Sequence, residues 1–181
     1  IDLIEQVVMM VRQHELPCKV LAASIRNAQQ MREAALVGAN GVVFGCLTKD
    51  GSFDSASNRI LFEIAKGLNL ETTFHRAIDL SADYFACFQK IVGMGFTRVL
   101  TSGGESTAIL GLEKIIELVN MDSNVQIMAG SGVNAENVQR IISTGVDAVH
   151  FSIRNSVNFD SQMGATPSVD TEKLKSILDE L

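Results

Sequence analysis

The sequence predicts an α/β protein of the parallel (β/α) TIM-barrel type, and three observations carry that prediction. Short apolar runs alternate with longer amphipathic stretches in six repeats, each a strand followed by a helix. Every strand-like run ends by changing abruptly from apolar residues to Gly, Ser, Cys or His. The stretch Glu71–Asp79 is the sharpest case: a buried run with Thr72, Thr73 and Phe74 gives way to His75, Arg76 and Asp79. Polar chemistry at strand ends is how barrels of this type build sites at one face. An open doubly wound sheet fits less well, because no glycine-rich dinucleotide fingerprint follows the first strand.

The elements follow in order. Leu3, Ile4, Val7, Val8 and Val11 make a helical stripe from residue 1 to His14, ended by Pro17. Cys18 to Ala23 reads as a strand, and Asn27 as the N-cap of a helix from Ala28 to Val37. Gly38 stops that helix, and Gly41 to Gly45 is the next strand. A polar loop with the turn signal Asp50-Gly51 leads to a helix from Ser55 to Lys66. Leu70 to Phe74 is a strand, Ser81 to Val92 a helix, and Thr97 to Thr101 a strand closed by Ser102-Gly103-Gly104. Helix from Thr107 to Val119, strand from Val125 to Met128, helix capped by Asn134 to Ser143 and strand from Asp147 to Phe151 complete the series. Asp170 caps a last helix. A closed eightfold barrel takes about 250 residues and two further units. With 181 residues and no initiator Met, the expectation is an incomplete barrel, residues omitted from a longer chain, or closure through another copy, a homo-oligomer.

Composition narrows the partners. A net charge of −6 argues against nucleic acid and anionic membranes. No apolar run is long enough to span a bilayer, and Asp2 and Glu5 stand where a signal peptide would be basic. Three cysteines without CxxC spacing point to a reducing, cytoplasmic setting.

From about Gly41 the chain resembles the copper homeostasis protein CutC family. The segments that carry the resemblance are Gly41-Val42-Val43-Phe44-Gly45-Cys46-Leu47-Thr48-Lys49-Asp50-Gly51, Thr73-Phe74-His75-Arg76-Ala77-Ile78-Asp79 and Arg98-Val99-Leu100-Thr101-Ser102-Gly103-Gly104. Ile127-Met128-Ala129-Gly130-Ser131-Gly132-Val133 and Val149-His150-Phe151-Ser152-Ile153-Arg154 continue it. Residues 1–40 look more like a segment of the small transaldolases. In that family the corresponding Ser and Arg hold a substrate phosphate, which would fall on Ser24 and Arg26. The transaldolase Schiff-base lysine has no counterpart, so no aldolase activity is expected. The early CutC strands and their IRPRGGDF segment are also without counterpart. The expectation is a single barrel-like domain with a transaldolase-like part (1–40) and a CutC-like part (41–181), a hybrid or an incomplete barrel.

The candidate chemistry converges on the strand ends. His75 reads as a general acid or base, a metal ligand or a hydrogen-bonded structural imidazole, and Arg76 as an anion clamp or the ion-pair partner of Asp79. Ser102, Gly103, Gly130, Ser131 and Gly132 offer backbone amides ahead of helices, and Arg154 a cation, for a small anionic ligand. The bland reading is that these glycines only permit tight turns. Cys46 and His75, with Met128 as an addition, are the candidate soft donors for copper(I). His150 points into the barrel if Val149 points to the helices. Asp50 and Asp54 read as a solvated turn and a helix cap, or as catalytic carboxylates. The resemblance implies a cytoplasmic copper-homeostasis protein binding copper(I). The alternatives are a barrel enzyme for a small phosphorylated metabolite, with His75 as acid or base, and a recombined scaffold without selected activity.

Overall fold

The computed structural model describes residues 2–153 and 169–181. Helix α1 (Asp2–Gln13) precedes six βα units. These are β1 (Leu21–Ala22) and α2 (Ala28–Leu36), β2 (Gly41–Phe44) and α3 (Ser55–Gly67), and β3 (Glu71–Phe74) and α4 (Tyr84–Met94). Then come β4 (Arg98–Thr101) and α5 (Leu112–Asn120), β5 (Gln126–Gly130) and α6 (Val138–Ile142), and β6 (Ala148–His150) with α7 (Thr171–Leu178). All strands are parallel and lie in chain order, β1 to β6, in one sheet. Sequential parallel neighbours joined by helices are the wall of a (β/α) barrel, here six strands of it. Among the described residues no helix is long and apolar enough to cross a membrane.

Strand alternation separates two faces. Val42, Phe44, Thr72, Phe74, Val99, Thr101, Ile127 and Ala129 are buried on the face that meets the helices. There Phe96 sits at the centre of an aromatic cluster, its ring 5.1 Å from Phe44 and 5.4 Å from both Phe62 and Phe74. The opposite, concave face carries Val43, Thr73, Arg98, Leu100, Gln126, Met128 and His150. Registered pairs set its rows: Thr73 with Arg98 and Gln126, Leu100 with Met128 and Ala148, Gly130 with His150. Its lower row is polar. Arg98 donates to Gln126 at 2.7 Å and to Thr73 at 3.4 Å, and lies 3.6 Å from Glu71, which also pairs with Lys19.

The capping residues act as their chemistry predicts. Asn27, Asp54 and Asp170 each accept from the amide three residues on, at 2.9 Å. Three helices start later than their side-chain pattern predicts. Residues 76–80 form a 3-10 turn, so α4 begins only after its cap Asp83. Helix α5 starts at Leu112 instead of Thr107, because residues 107–111 turn back to hydrogen-bond Ser131 and to close on Gly111. Helix α6 starts at Val138, after Asn134 and Asn137 bond each other's amides. The first strand is two residues long because only Leu21 and Ala22 find partners in β2.

Candidate functional site at the strand C-termini

The carboxyl ends of β3 to β6 open onto two adjoining hollows. The larger, about 490 Å³, is lined by His75, Arg76, Ala77, Asp79, Leu80 and Leu100. The smaller, about 230 Å³, is lined by Arg76, Leu100, Ser131, Gly132, Val133, His150, Phe151, Ser152 and Lys173. Arg76 and Leu100 belong to both, so they form the saddle between them.

Each polar group is held by local structure. The His75 backbone amide donates to Phe44 O at 3.1 Å, continuing the β2–β3 ladder, and its Nδ1 accepts the Ala77 amide at 3.1 Å as the 3-10 turn begins. Burial lowers the His75 pKa below its ordinary value of 6.5, which favours neutral imidazole. Asp79 is almost wholly buried, its side chain 3% exposed. It accepts from Arg76 Nε at 2.8 Å, Thr101 Oγ1 at 2.6 Å, the Ser102 amide at 3.0 Å and the Gly104 amide at 2.9 Å. Thr101 Oγ1 in turn accepts from the Gly103 amide at 3.0 Å and lies 2.7 Å from the Tyr84 hydroxyl. Burial raises that phenol's pKa and keeps it protonated. Arg76 is braced at its other end, its Nη2 donating to Ser102 Oγ at 2.8 Å and to Glu105 O at 3.3 Å.

These bonds correct part of the sequence reading. The amides of Ser102 and Gly103, expected to face an anion, are taken by Asp79 and Thr101 inside the protein. Gly103 is glycine for another reason: its φ is +72°, and a Cβ there would lie 2.2 Å from Gly111 O. Gly130 likewise gives room, to Leu100 and His150. Ser24 and Arg26 are exposed at the end of β1, the opposite edge of the sheet order from β5 and β6, and do not join this site. Arg154 lies outside the described residues. Neither glycine turn runs directly into a helix, so neither sets its amides at a helix N-terminus.

Other expectations meet in one place. Ser131 and Gly132 share the smaller hollow with Arg76 and with His150, which is exposed on the concave face. Ser131 adopts φ +87°, its hydroxyl donating to Ser106 O at 2.8 Å. Lys173 is the residue sequence reasoning missed. It belongs to the first turn of α7, where Asp170 accepts its amide, and only tertiary packing brings it to the mouth. Cys46 lies past the end of β2, with Asn58 bonding both its amide and its carbonyl. Burial, then the Asp54 charge, raises its pKa above the ordinary 9.0. Among the described residues no group of three or more His, Cys, Asp or Glu is placed to hold a metal. Asp54 caps α3, and Asp50 closes an exposed turn with Thr48 and Ser52.

The CutC family model matches residues 7–155. The chain belongs to the CutC family. A CutC family protein of Vibrio vulnificus is 42% identical over 151 residues, covering 78% of this chain and 60% of that protein. One from Bacteroides fragilis is 40% identical over 141 residues, covering 77% and 53%. This CutC chain therefore spans about half to three fifths of those relatives. The crystal structure of a CutC from Streptococcus agalactiae, named for copper homeostasis, superposes with a TM-score of 0.67 at 28% identity, covering 81% of this chain and 79% of that one. A thiamine phosphate pyrophosphorylase from Pyrococcus furiosus superposes with a TM-score of 0.63 at 17% identity, over 99% of this chain and 74% of its own, a likeness of fold alone. The CutC match begins at residue 7, so most of the transaldolase-like stretch lies within it.

Proposed function

We propose that the mouth of this CutC-family barrel binds a small anionic, phosphorylated metabolite. The observation that carries the reading is the entry of Arg76 and Lys173 into one hollow with the Ser131–Gly132 turn and His150. Two cations arriving from different elements beside a turn with free backbone amides suit phosphate oxygens. The Gly132 and Val133 amides have no acceptor among the described residues. Arg76 is already braced by Asp79 and Ser102, so little side-chain entropy is lost on binding. His75, neutral and facing the adjoining hollow, supplies a polar group for the rest of the ligand. Inorganic phosphate at ten times its Kd should raise the Tm by about 3–6 °C. Lys173→Glu should remove most of that shift. An unchanged shift in the variant would eliminate the pocket.

A second reading, copper(I) binding in copper homeostasis, is favoured by the Streptococcus agalactiae relative's name and by Cys46 and His75 at neighbouring strand ends. Cys46 and His75 would hold the ion as cargo, with Met128 a further soft donor, although the Ala77 amide already occupies His75 Nδ1. The donor set fits poorly as it stands, since the thiol is held protonated by burial and by Asp54. Competition against a copper(I) chelator tests it: Cys46→Ser should weaken binding at least about tenfold, and equal affinity in the variant ends the reading.

A further inference from the structure

The ring of His75 is oriented by two contacts, one of which uses up a nitrogen. Nδ1 accepts the Ala77 amide at 3.1 Å, and the Phe74 ring meets the imidazole edge-on at a centroid distance of 6.0 Å. Gly45 packs beside the same nitrogen: a Cβ there would approach Nδ1 to 3.1 Å and Phe74 to 2.9 Å. A nitrogen that accepts an amide proton carries none itself, so the neutral ring bears its proton on Nε2. No side chain of the described residues bonds Nε2, and the ring's other polar contact is with its own backbone. The rest of that hollow is largely apolar, with Ala77, Leu80 and Leu100 on its walls, and it communicates with the cationic hollow across Leu100 and Arg76.

We propose that the two hollows are one site for a small organic phosphate bearing a carbonyl or hydroxyl oxygen, and that His75 meets that oxygen as a hydrogen-bond donor through Nε2–H. The phosphate sits between Lys173, Arg76 and the Ser131–Gly132 turn, and the carbon skeleton passes over Leu100. This rests on the anion-binding reading above and adds the class of molecule and the role of the imidazole. A neutral donor of this kind polarises a carbonyl or steadies an oxyanion; with Nδ1 engaged it has no lone pair to act as a base.

Long-range 1H–15N spectra of the imidazole rings, with His75→Gln to assign the signals, report the tautomer directly. The Nε2–H form is expected in the free protein, and Nδ1–H would overturn the inference. Titrations then compare inorganic phosphate with dihydroxyacetone phosphate, glycerol 3-phosphate and ribose 5-phosphate. At least one organic phosphate should bind more tightly than inorganic phosphate. That advantage should fall about tenfold in His75→Leu and by less than about threefold in His75→Gln, which keeps a donor. Inorganic phosphate should bind equally to all three proteins. If no organic phosphate gains over inorganic phosphate, or if both lose equally in His75→Leu, the inference fails while the anion reading stands. If no phosphate compound shifts the Lys173 and Gly132 signals, both fail.

Discussion

Asp79 organises more of the mouth than any other side chain. Its carboxylate accepts from two backbone amides, from Thr101 and from Arg76 while almost fully buried. It shapes the turn after β4 and aims Arg76, instead of facing a ligand itself. Arg76 is 40% exposed on the same measure, so the ion pair alone is worth little through solvent. The backbone bonds carry the weight. Removing the carboxylate leaves a buried donor at Ser102 and a half-buried one at Gly104 without an acceptor, each costing about 1–3 kcal/mol. Asp79→Ala should therefore lower the unfolding free energy by about 3 kcal/mol or more, read from urea denaturation. Arg76→Ala should cost less than about 1 kcal/mol. Equal losses in the two variants would show that the ion pair, not the turn, is what Asp79 supports.

At the scale of elements, the connection from β4 to α5 explains why sequence reading succeeded in some places and failed in others. Strands and caps were legible because their signals are local. Apolar runs that end in glycine, serine or histidine mark β2 to β5, and Asn27, Asp54 and Asp170 bond amides three residues away. The start of α5 was not legible, since Thr107–Gly111 look helical yet are drawn into a turn by Ser131 from another unit. Of the two readings of the glycines after β4, the tight turn is the one these contacts fit. Gly103 and Gly111 serve each other, and a Cβ on Gly111 would lie 2.0 Å from Ser102 O. Both neighbours are backbone, which cannot rotate aside. Gly111→Ala should thus destabilise by about 1–3 kcal/mol or more despite the ordinary φ of −94° at that residue. Gly67→Ala in α3 meets nothing within 4 Å and should cost nothing or stabilise slightly. The mouth was half legible: His75, Arg76, Ser131 and Gly132 could be read from strand ends. Lys173 could not, because nothing in the sequence near Asp170 says which strand end α7 packs over.

At the scale of the molecule the decisive feature is a sheet, built like part of a barrel wall, whose outer strands have no further strand beside them among the described residues. Among the described residues β1 pairs only with β2 and β6 only with β5. In a closed barrel the concave residues form stacked interior layers. Here Val43, Leu100 and Met128 remain partly exposed, above the polar row of Glu71, Arg98 and Gln126. Unpaired strand edges next to half-covered apolar side chains template pairing with another chain. Large apolar side chains elsewhere add to the tendency: Leu36 is 85% exposed and Leu3 72%. The net charge of −6 opposes association at low salt but is screened within about 8 Å at physiological ionic strength. This chain should therefore self-associate, with a weight-average mass in sedimentation velocity that rises between about 5 and 100 µM. Ala148→Lys places a charge on the concave face of the edge strand β6, in register with Met128. It should shift the distribution toward monomer while leaving phosphate binding at Lys173 intact. A strictly monomeric wild type over that range would mean that the edges are protected within one chain, and the substitution would then change nothing.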